Sequence, residues 1–204
     1  NTTIDPINLG KILSKLKKRG VQNVIMEASS HGLKQNRLDG LLFKLGIFTN
    51  LSQDHLDYHK NLNNYFKAKL YLFENLIKKF GHIITDDKLP KFNKIKKISL
   101  KKNLKIQKIN NNNLFKILSH SYQGEMQVIK IEYKKSIKII KLNLIGKIQL
   151  KNLLMAIIAA KKSNLSLNRI FKVLPQLRPV EGRFEKIGRI RNNSKVILDY
   201  AHTP

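Results

Sequence analysis

The chain has 204 residues and a formal net charge of +27, from 40 lysine and arginine residues against 13 aspartate and glutamate residues. It contains no cysteine, which excludes disulfide bonds and thiolate chemistry. It has no apolar run close to the ~20 residues needed to cross a bilayer and no signal-peptide pattern at the start, so we expect a cytoplasmic protein with no membrane partner.

The strong positive charge could indicate a nucleic-acid partner. However, the lysines are scattered through every segment together with abundant asparagine and isoleucine, as a bias in codon use would produce. The chain also lacks an aromatic-interleaved RNA-binding motif, a zinc knuckle and a GXXG loop. We therefore expect no specific nucleic acid as partner, and a basic nucleic-acid-binding protein remains the alternative from a different class.

The first part of the chain alternates between helical and strand patterns. Residues 8–18 carry apolar side chains at i, i+3, i+4 and i+7, which predicts a helix. Residues 21–26 and 45–48 predict two buried strands. Residues 61–79 predict a second helix with one apolar stripe.

Polar side chains follow both predicted strands. Glu27 comes directly after the first strand, and three potential ligands lie in the polar stretch after the second, namely Asp54, His55 and His59. The carboxyl ends of parallel strands meet at one edge of a sheet, where ligands bind. Lys69 points away from the apolar stripe that carries Leu70, because neighbouring helix positions differ by about 100°. We therefore expect Glu27, His55 and Lys69 at the ends of three consecutive elements of one sheet.

Side chains of these three types are compatible with a site for a divalent cation. A carboxylate and an imidazole can bind Mg²⁺ or Mn²⁺. A protonated lysine cannot, but a lysine deprotonated by its surroundings can add CO₂ and form a carbamate with oxygen donors. Taken alone, Lys69 is most simply a solvent-facing helix residue and His55 a structural or capping histidine. The prediction therefore depends on the three lying together.

The pattern becomes rich in strands after the second helix. Residues 81–85 predict a short strand, and residues 88–143 a β-rich addition with turns of asparagine and lysine. The strands predicted within this addition are residues 95–100, 114–118, 126–133 and 137–142, the last two forming a hairpin. Two helices follow, over residues 149–162 and 167–174, and the second ends before Pro175.

This order of elements predicts an α/β fold with a mostly parallel sheet flanked by helices and a small β-rich addition. Residues 175–179 contain two prolines and no periodicity, which favours a domain boundary. We therefore predict one domain over residues 1–178 and the beginning of a second α/β domain over residues 179–204.

Three motifs carry a resemblance to a known family. They are MEASSHGLKQNR at residues 26–37, TNLSQDHLDYH at 49–59 and LDYAHTP at 198–204. Together they resemble the bacterial Mur ligases, in particular those that add the third amino acid to UDP-N-acetylmuramoyl-L-alanyl-D-glutamate. The resemblance implies that residues 1–178 belong to the central ATP-binding domain and residues 179–204 begin the C-terminal ligase domain.

The resemblance implies ATP-dependent amide bond formation through an acyl phosphate, in the synthesis of peptidoglycan precursors. The partners would be the UDP-N-acetylmuramoyl dipeptide and a diamino acid, either meso-diaminopimelate or L-lysine. The cofactors would be ATP and Mg²⁺, together with a CO₂-derived carbamate on Lys69. Glu27, His55 and the modified Lys69 would be the catalytic metal ligands. We expect a monomer.

Further positions match the family's binding residues by resemblance. Those matching substrate-binding positions are Asn1, Thr2, Thr3, Ser29, Gln35 and Arg37. Those matching nucleotide-binding positions are Asn152, Arg183, Asp199 and His202. Helix capping by Ser29, surface exposure of Arg37 and a surface ion pair of Arg183 are the alternatives. Two positions depart from the family pattern, Ile4 in place of a proline and Gln149 in place of an asparagine.

No GxxxxGK[ST] motif for cradling phosphate is present in these residues. We therefore expect a fragment that lacks the phosphate loop and is inactive as a separate polypeptide. The segment that would select between the two diamino acids is also missing, so the sequence leaves that choice open. Folylpolyglutamate synthetase and cyanophycin synthetase remain the enzymatic alternatives.

Overall fold

The computed structural model describes residues 3–201, so Asn1, Thr2 and His202 lie outside the described residues. Packing divides the chain into two compact units, Asn1–Gln107 and Lys108–Pro204. The boundary predicted at residues 175–179 falls within the second unit. The assignment of residues 1–178 and 179–204 to two functional domains stays a prediction.

The first unit combines a small sheet with helices. Asp5 caps the first helix, since its side chain accepts a hydrogen bond from the main-chain nitrogen of Asn8. A π-helical turn over Leu72–Leu76 follows α4. The helices and strands of this unit are α1 Pro6–Lys18, α2 Ser30–Lys34, β1 Phe43–Phe48, α3 Leu56–His59, α4 Leu62–Tyr71, β2 Ile77–Thr85, α5 Phe92–Lys101 and β3 Lys105–Lys108.

The strands of the first unit form a sheet in the order β1-β2-β3. Strands β1 and β2 are parallel, with Leu45 opposite His82 and Phe48 opposite Thr85. Ile83 on β2 is fully buried and belongs to the core of the unit. Gly46 permits close packing here, because a Cβ atom at this position would lie 2.8 Å from the ring of Phe73. The core thus packs closely against β1.

The predicted strand over residues 21–26 is wrong. Residues 21–29 have no sheet pairing, and Ile25 is 98% exposed. A strand forms only where a neighbour satisfies its main-chain groups, and the described sheet does not include this segment. The expectation that Glu27 stands at the end of a strand in the same sheet as β1 is therefore also wrong.

A second predicted strand is wrong, and one helix boundary differs from the prediction. Residues 95–100, predicted as a strand, lie within α5, where Ile95 and Ile98 are three positions apart and pack on the core. The helix predicted over residues 61–79 ends at Leu76, and β2 begins at Ile77. The register of β1 and β2 shifts in this stretch, and Phe80 has a φ of 63°. A bulge therefore replaces the expected last helical turn.

The second unit is built on antiparallel strands. The predicted hairpin is confirmed, with Lys134 and Lys135 at positive φ between β5 and β6. The strand predicted at residues 114–118 begins later, at Lys116, and runs to Gln123. The elements are β4 Lys116–Gln123, β5 Met126–Tyr133, β6 Ser136–Leu142, α6 Lys147–Lys162, α7 Leu167–Val173, β7 Glu185–Arg189 and β8 Lys195–Leu198. Within residues 3–201, no helix has both the length and the apolar character required to cross a membrane.

Candidate active site

The segment before α2 is held in place by Thr3, which is only 1% exposed. The Thr3 hydroxyl donates to the main-chain oxygen of Glu27 at 3.2 Å and accepts from the main-chain nitrogen of Ser29 at 2.9 Å. The Ser29 hydroxyl lies 2.9 Å from the same Thr3 oxygen and caps α2 by accepting from the nitrogen of Gly32 at 3.1 Å. Ser29 thus has the capping role that was its alternative to substrate binding, and the Thr3 side chain is engaged in holding this loop.

Gly32 and Arg37 also contact Thr3 and so help to fix the position of α2. A Cβ atom on Gly32 would lie 2.7 Å from the side chain of Thr3, so only glycine allows this approach. The guanidinium of Arg37 donates to the main-chain oxygen of Thr3 at 2.8 Å. Arg37 is half-buried. Contacts to residues distant in sequence therefore give α2 a well-defined position, although it is a short helix.

His55 begins α3 in an unusual conformation. Its main chain is left-handed, with a φ of 53°, and its side chain makes no capping hydrogen bond. The main-chain nitrogen of His55 donates to Asp54 at 2.8 Å, and its Nε2 atom lies 3.5 Å from the other carboxylate oxygen. The His55 side chain is 44% exposed. The imidazole is thus presented at the surface beside a carboxylate.

The His55 ring belongs to a cluster of histidine and tyrosine rings. His31 contacts His55 with ring centroids 4.8 Å apart and planes at 82°, and it packs on Tyr58 at 4.1 Å. His59 lies 5.4 Å from His31 and 5.2 Å from Tyr65. Tyr65 is 6.1 Å from His55. This arrangement connects α2, α3 and α4 through their side chains.

Two histidines of the cluster have a pKa below the ordinary value. Burial lowers the pKa of His31, and the positive charge that His55 can carry lowers it further. Burial likewise lowers the pKa of His59, followed by the effect of His31. The Nε2 atom of His59 lies 3.0 Å from the hydroxyl of Ser30, whereas its buried Nδ1 atom has no hydrogen-bond partner among residues 3–201. Both rings therefore favour the neutral form at neutral pH.

Lys69 reaches the end of β1. It is half-buried, and its amine donates to the main-chain oxygen of Asn50 at 3.2 Å. The amine also lies 4.5 Å from the ring centroid of Tyr65 and 5.5 Å from that of Phe48. Burial lowers the pKa of Lys69 to about 8, against a smaller raising effect of Asp54. A larger share of this amine is therefore uncharged at neutral pH than is normal for lysine.

The donor types present fit the predicted metal chemistry. An uncharged amine can add CO₂, and the resulting carbamate would provide the oxygen ligands that Mg²⁺ prefers. Glu27 is exposed, with its main-chain oxygen held by Thr3, and its carboxylate is the second predicted donor. Within residues 3–201 no three His, Cys, Asp or Glu side chains form a group suited to a metal. The predicted set contains only two such side chains, so its third ligand depends on modification of Lys69.

The predicted nucleotide-binding residues lie in the second unit. Asn152 is exposed on α6, and Asp199 is half-buried after β8. The guanidinium of Arg183 packs on the ring of Tyr200 at 5.5 Å. The side-chain amide of Gln149 donates to the main-chain oxygen of Arg183 at 3.3 Å. The residue that departs from the family pattern thus contacts the loop that carries Arg183.

Sequence reasoning gave no role to two residues that the structure places beside the predicted ligands. Tyr65 lies next to both His55 and Lys69, and its position four residues before Lys69 on α4 was a usable signal, since such residues share a helix face. The contact of His31 with His55 is not visible in sequence spacing. It arises only from the packing of α2 on the residues before α3.

The Mur ligase middle domain family matches residues 1–160 of the chain. This chain belongs to that family. The UDP-N-acetylmuramoyl-L-alanyl-D-glutamate--2,6-diaminopimelate ligase of Chelativorans sp. (strain BNC1) is 34% identical to this Mur ligase chain over 206 residues, a match that covers 100% of the chain and 42% of the relative. The chain thus spans about two fifths of the length of the curated relatives it matches.

Solved structures agree with this membership. A structure of a UDP-N-acetylmuramoyl-L-alanyl-D-glutamate--2,6-diaminopimelate ligase matches with a TM-score of 0.80 and 28% identity, covering 99% of this Mur ligase chain and 42% of that chain. The MurF ligase of Thermotoga maritima in complex with ADP matches with a TM-score of 0.62 and 13% identity, covering 79% of this chain and 36% of that chain. The second match shows the fold alone. The predicted α/β fold class is confirmed.

Proposed function

We propose that the protein containing this chain is an ATP-dependent ligase that adds a diamino acid to UDP-N-acetylmuramoyl-L-alanyl-D-glutamate. The curated relatives with identities of 34% over the whole chain carry the name of this ligase with 2,6-diaminopimelate as the added amino acid. We therefore propose diaminopimelate rather than L-lysine. The protein would act in the cytoplasm as a monomer in the synthesis of peptidoglycan precursors.

The observation that carries this proposal is the environment of Lys69. Its amine is half-buried at the end of β1, with a pKa of about 8 and contacts to Asn50 and Tyr65. A lysine that served only solubility would keep its amine in water. An amine held in this state can bond to the carbon of CO₂ and release a proton, which gives a carbamate. Glu27, His55 and the carbamate would then hold Mg²⁺, which would neutralise phosphate charge during the reaction.

The reaction brings several negative groups together. The substrate carboxylate attacks the γ-phosphorus of ATP and releases ADP, and the amine of the diamino acid then displaces phosphate from the acyl phosphate to form the amide. The protein must align these groups and balance their charge. Arg37 can bind a carboxylate through its guanidinium group. The other proposed substrate-side groups are Asn1, Thr2, Thr3, Ser29 and Gln35.

The proposed nucleotide-side groups are in the second unit. Asn152 has donor and acceptor groups for the edge of adenine, and Arg183 has a cation for phosphate. Asp199 and His202 are proposed as ribose or phosphate contacts. Residues 1–178 would supply the central ATP-binding domain and residues 179–204 the beginning of the C-terminal ligase domain.

The test is ligation by the full-length protein with ATP, Mg²⁺, UDP-N-acetylmuramoyl-L-alanyl-D-glutamate and meso-diaminopimelate, with L-lysine in a parallel reaction. The product is identified by mass spectrometry. Lys69→Arg should abolish ligation even with added bicarbonate, because arginine cannot form the carbamate. Lys67→Arg, at an exposed position on the same helix, is the control and should retain activity. Ligation by Lys69→Arg at the wild-type rate would refute the proposed role of Lys69.

Two alternatives have their own tests. Activity with a folate and glutamate, and none with the UDP-linked dipeptide, would favour folylpolyglutamate synthetase. A gel shift with nucleic acid whose log-log salt slope is several units would favour a nucleic-acid-binding protein. Equal loss of affinity with any polyanion would indicate charge alone.

A further inference from the structure

We propose that His31 is a positioning residue, which holds the imidazole of His55 in a single orientation for its role at the active site. This inference rests on the proposed function, since it concerns the residue proposed to bind Mg²⁺. Nothing in the family resemblance assigns a role to His31. The His31 ring contacts the His55 ring directly, and the helix that carries His31 is held by several contacts.

Within residues 3–201, the His55 ring has few other contacts. Its side chain is 44% exposed, and its nearest charged partner is Asp54, with 3.5 Å between Nε2 and the carboxylate. The Tyr65 ring lies farther away, at 6.1 Å between centroids. A half-exposed side chain with these contacts keeps rotamer freedom, whereas a metal ligand must keep a fixed direction. Contact with a neighbouring ring would restrict that freedom.

His31 has the geometry for this contact. Its ring meets the His55 ring at 82° with 4.8 Å between centroids, which is an edge-to-face arrangement. On another side His31 packs against Tyr58 at 4.1 Å. The Tyr58 ring lies under the amine of Lys34 at 4.6 Å, and its hydroxyl accepts from Gln35 at 3.2 Å. His31 is therefore supported from behind by a ring that α2 itself anchors.

The main chain of His31 is also well held. The helix that carries it is capped by Ser29, fixed through Thr3 and closely packed at Gly32. A side chain on a rigid element can restrict the rotamers of the side chain that it contacts, whereas a side chain on a mobile loop would not. Contact with His31 thus ties the direction of the His55 ring to α2, which is capped by Ser29 and followed by Arg37. The metal site and the proposed substrate site would share one rigid support.

The experiment compares three substitutions in the full-length ligase. His31→Ala removes the ring, His31→Leu fills the space without a ring, and His31→Phe keeps a flat ring of similar size. Small displacements of a catalytic group have large effects on rate, so we expect Ala and Leu to lower kcat by about ten- to a hundredfold. The Mg²⁺ concentration for half-maximal activity should rise, while the KM for diaminopimelate should change little. His31→Phe should restore most of the activity and the Mg²⁺ response.

The control is His120→Ala, in residues 108–204, where His120 contacts Gln127 and Tyr122. It removes an imidazole of comparable burial but should leave the Mg²⁺ response unchanged. Thermal unfolding of each variant shows whether a loss of activity comes from a loss of the fold or from a change in the orientation of the His55 ring. If His31→Ala does not fold, the comparison of His31→Leu with His31→Phe still tests the inference. Wild-type kcat in His31→Leu would overturn the inference, as would loss of activity in Phe equal to that in Leu. Failure of the wild-type enzyme to ligate would instead refute the proposed function.

Discussion

The amine of Lys69 donates a hydrogen bond to the main-chain oxygen of Asn50 at 3.2 Å. This contact joins the end of α4 to the residues that follow β1, and it draws a lysine into a setting of aromatic rings. Burial there lowers the pKa of Lys69 to about 8. Burial makes the amine more reactive because it favours the uncharged form over the charged form. At neutral pH most of the amine must still be charged, so burying it should reduce the stability of the fold.

Lys69→Met should therefore increase the free energy of unfolding at pH 7. The folded state holds the protonated lysine less well than the unfolded state does, and methionine removes that penalty. We expect a gain of about 1–2 kcal/mol, less than the full pKa shift implies, because the side chain is still partly solvated. Denaturant unfolding of both proteins at pH 7 measures the difference.

The pH dependence gives the sign of this effect. Between about pH 8 and the ordinary lysine pKa of 10.5, the unfolded state binds more protons than the folded state, so the wild-type protein should gain stability with rising pH. The advantage of Lys69→Met should shrink over that window. Lys67→Met, at an exposed position, should show neither effect. A constant difference from pH 7 to 10 would contradict the assigned burial of the amine.

His59 should make the protein sensitive to mild acid. Its side chain is 1% exposed and its pKa is lowered from the ordinary value of 6.5. Above pH 6.5 the ring is neutral in both the folded and the unfolded state, and the protein keeps its full stability. Below pH 6.5 the unfolded state binds a proton more readily than the folded state, so stability is lost as pH falls through the lower pKa of the folded state. The free energy of unfolding should thus decrease from pH 7 to 5, and His59→Gln should flatten this slope. Ser30→Ala keeps the imidazole and should keep the slope; an unchanged slope in His59→Gln would assign it to other groups.

The contact of Gly32 with Thr3 should be sensitive to a single methyl group. A Cβ atom at Gly32 would lie 2.7 Å from the Thr3 side chain, so Gly32→Ala should cost about 1–3 kcal/mol of stability. The cost should be smaller in a Thr3→Gly background, which removes the atoms that clash. A double-mutant cycle in denaturant measures this coupling.

Gly10 provides the matched control. It lies within α1, and no atom of the described part of the chain lies within 4 Å of the position of its added Cβ atom. Gly10→Ala should therefore stabilise the protein by about 0.5–1 kcal/mol through improved helix propensity. Equal destabilisation by both alanines would show that the close approach to Thr3 is not the cause.

Glu125 should anchor the β7 and β8 strands. Its carboxylate binds Lys186 and Arg189 and lies 3.8 Å from the amine of Lys195. The hydrogen bond from Lys186 holds the pKa of Glu125 below its ordinary value, with that from Arg189 contributing less. Glu125→Gln should lower the denaturant midpoint, because one neutral side chain cannot balance these cations. The effect should weaken at high salt.

Glu132→Gln is the control for Glu125, since Glu132 is exposed on β5. It changes the net charge equally but should leave the midpoint almost unchanged. The difference between the two variants should disappear as pH falls through the lowered pKa of Glu125, because the wild-type carboxylate then also becomes neutral. A difference that persists in strong acid would rule out the ion cluster as its source.

Local patterns in the sequence predicted several elements well. The helix α1, the strand β1, the β5–β6 hairpin and the helix α6 all follow from apolar spacing and turn residues. Residues 21–26 have an equally strand-like pattern and form no strand. Spacing within a segment states which faces are apolar, but pairing with another segment decides whether a strand forms.

Local spacing along the chain was enough to predict the class of fold and the direction in which Lys69 turns from its helix, and the resemblance of three motifs indicated the residues of the site. It could not show that His31 meets His55 or that Thr3 and Gly32 hold α2. Nor could it show that Asn50 and Tyr65 form the setting in which the Lys69 amine loses much of its contact with water. These features depend on segments far apart in sequence, and their distances and burial exist only once the chain is packed.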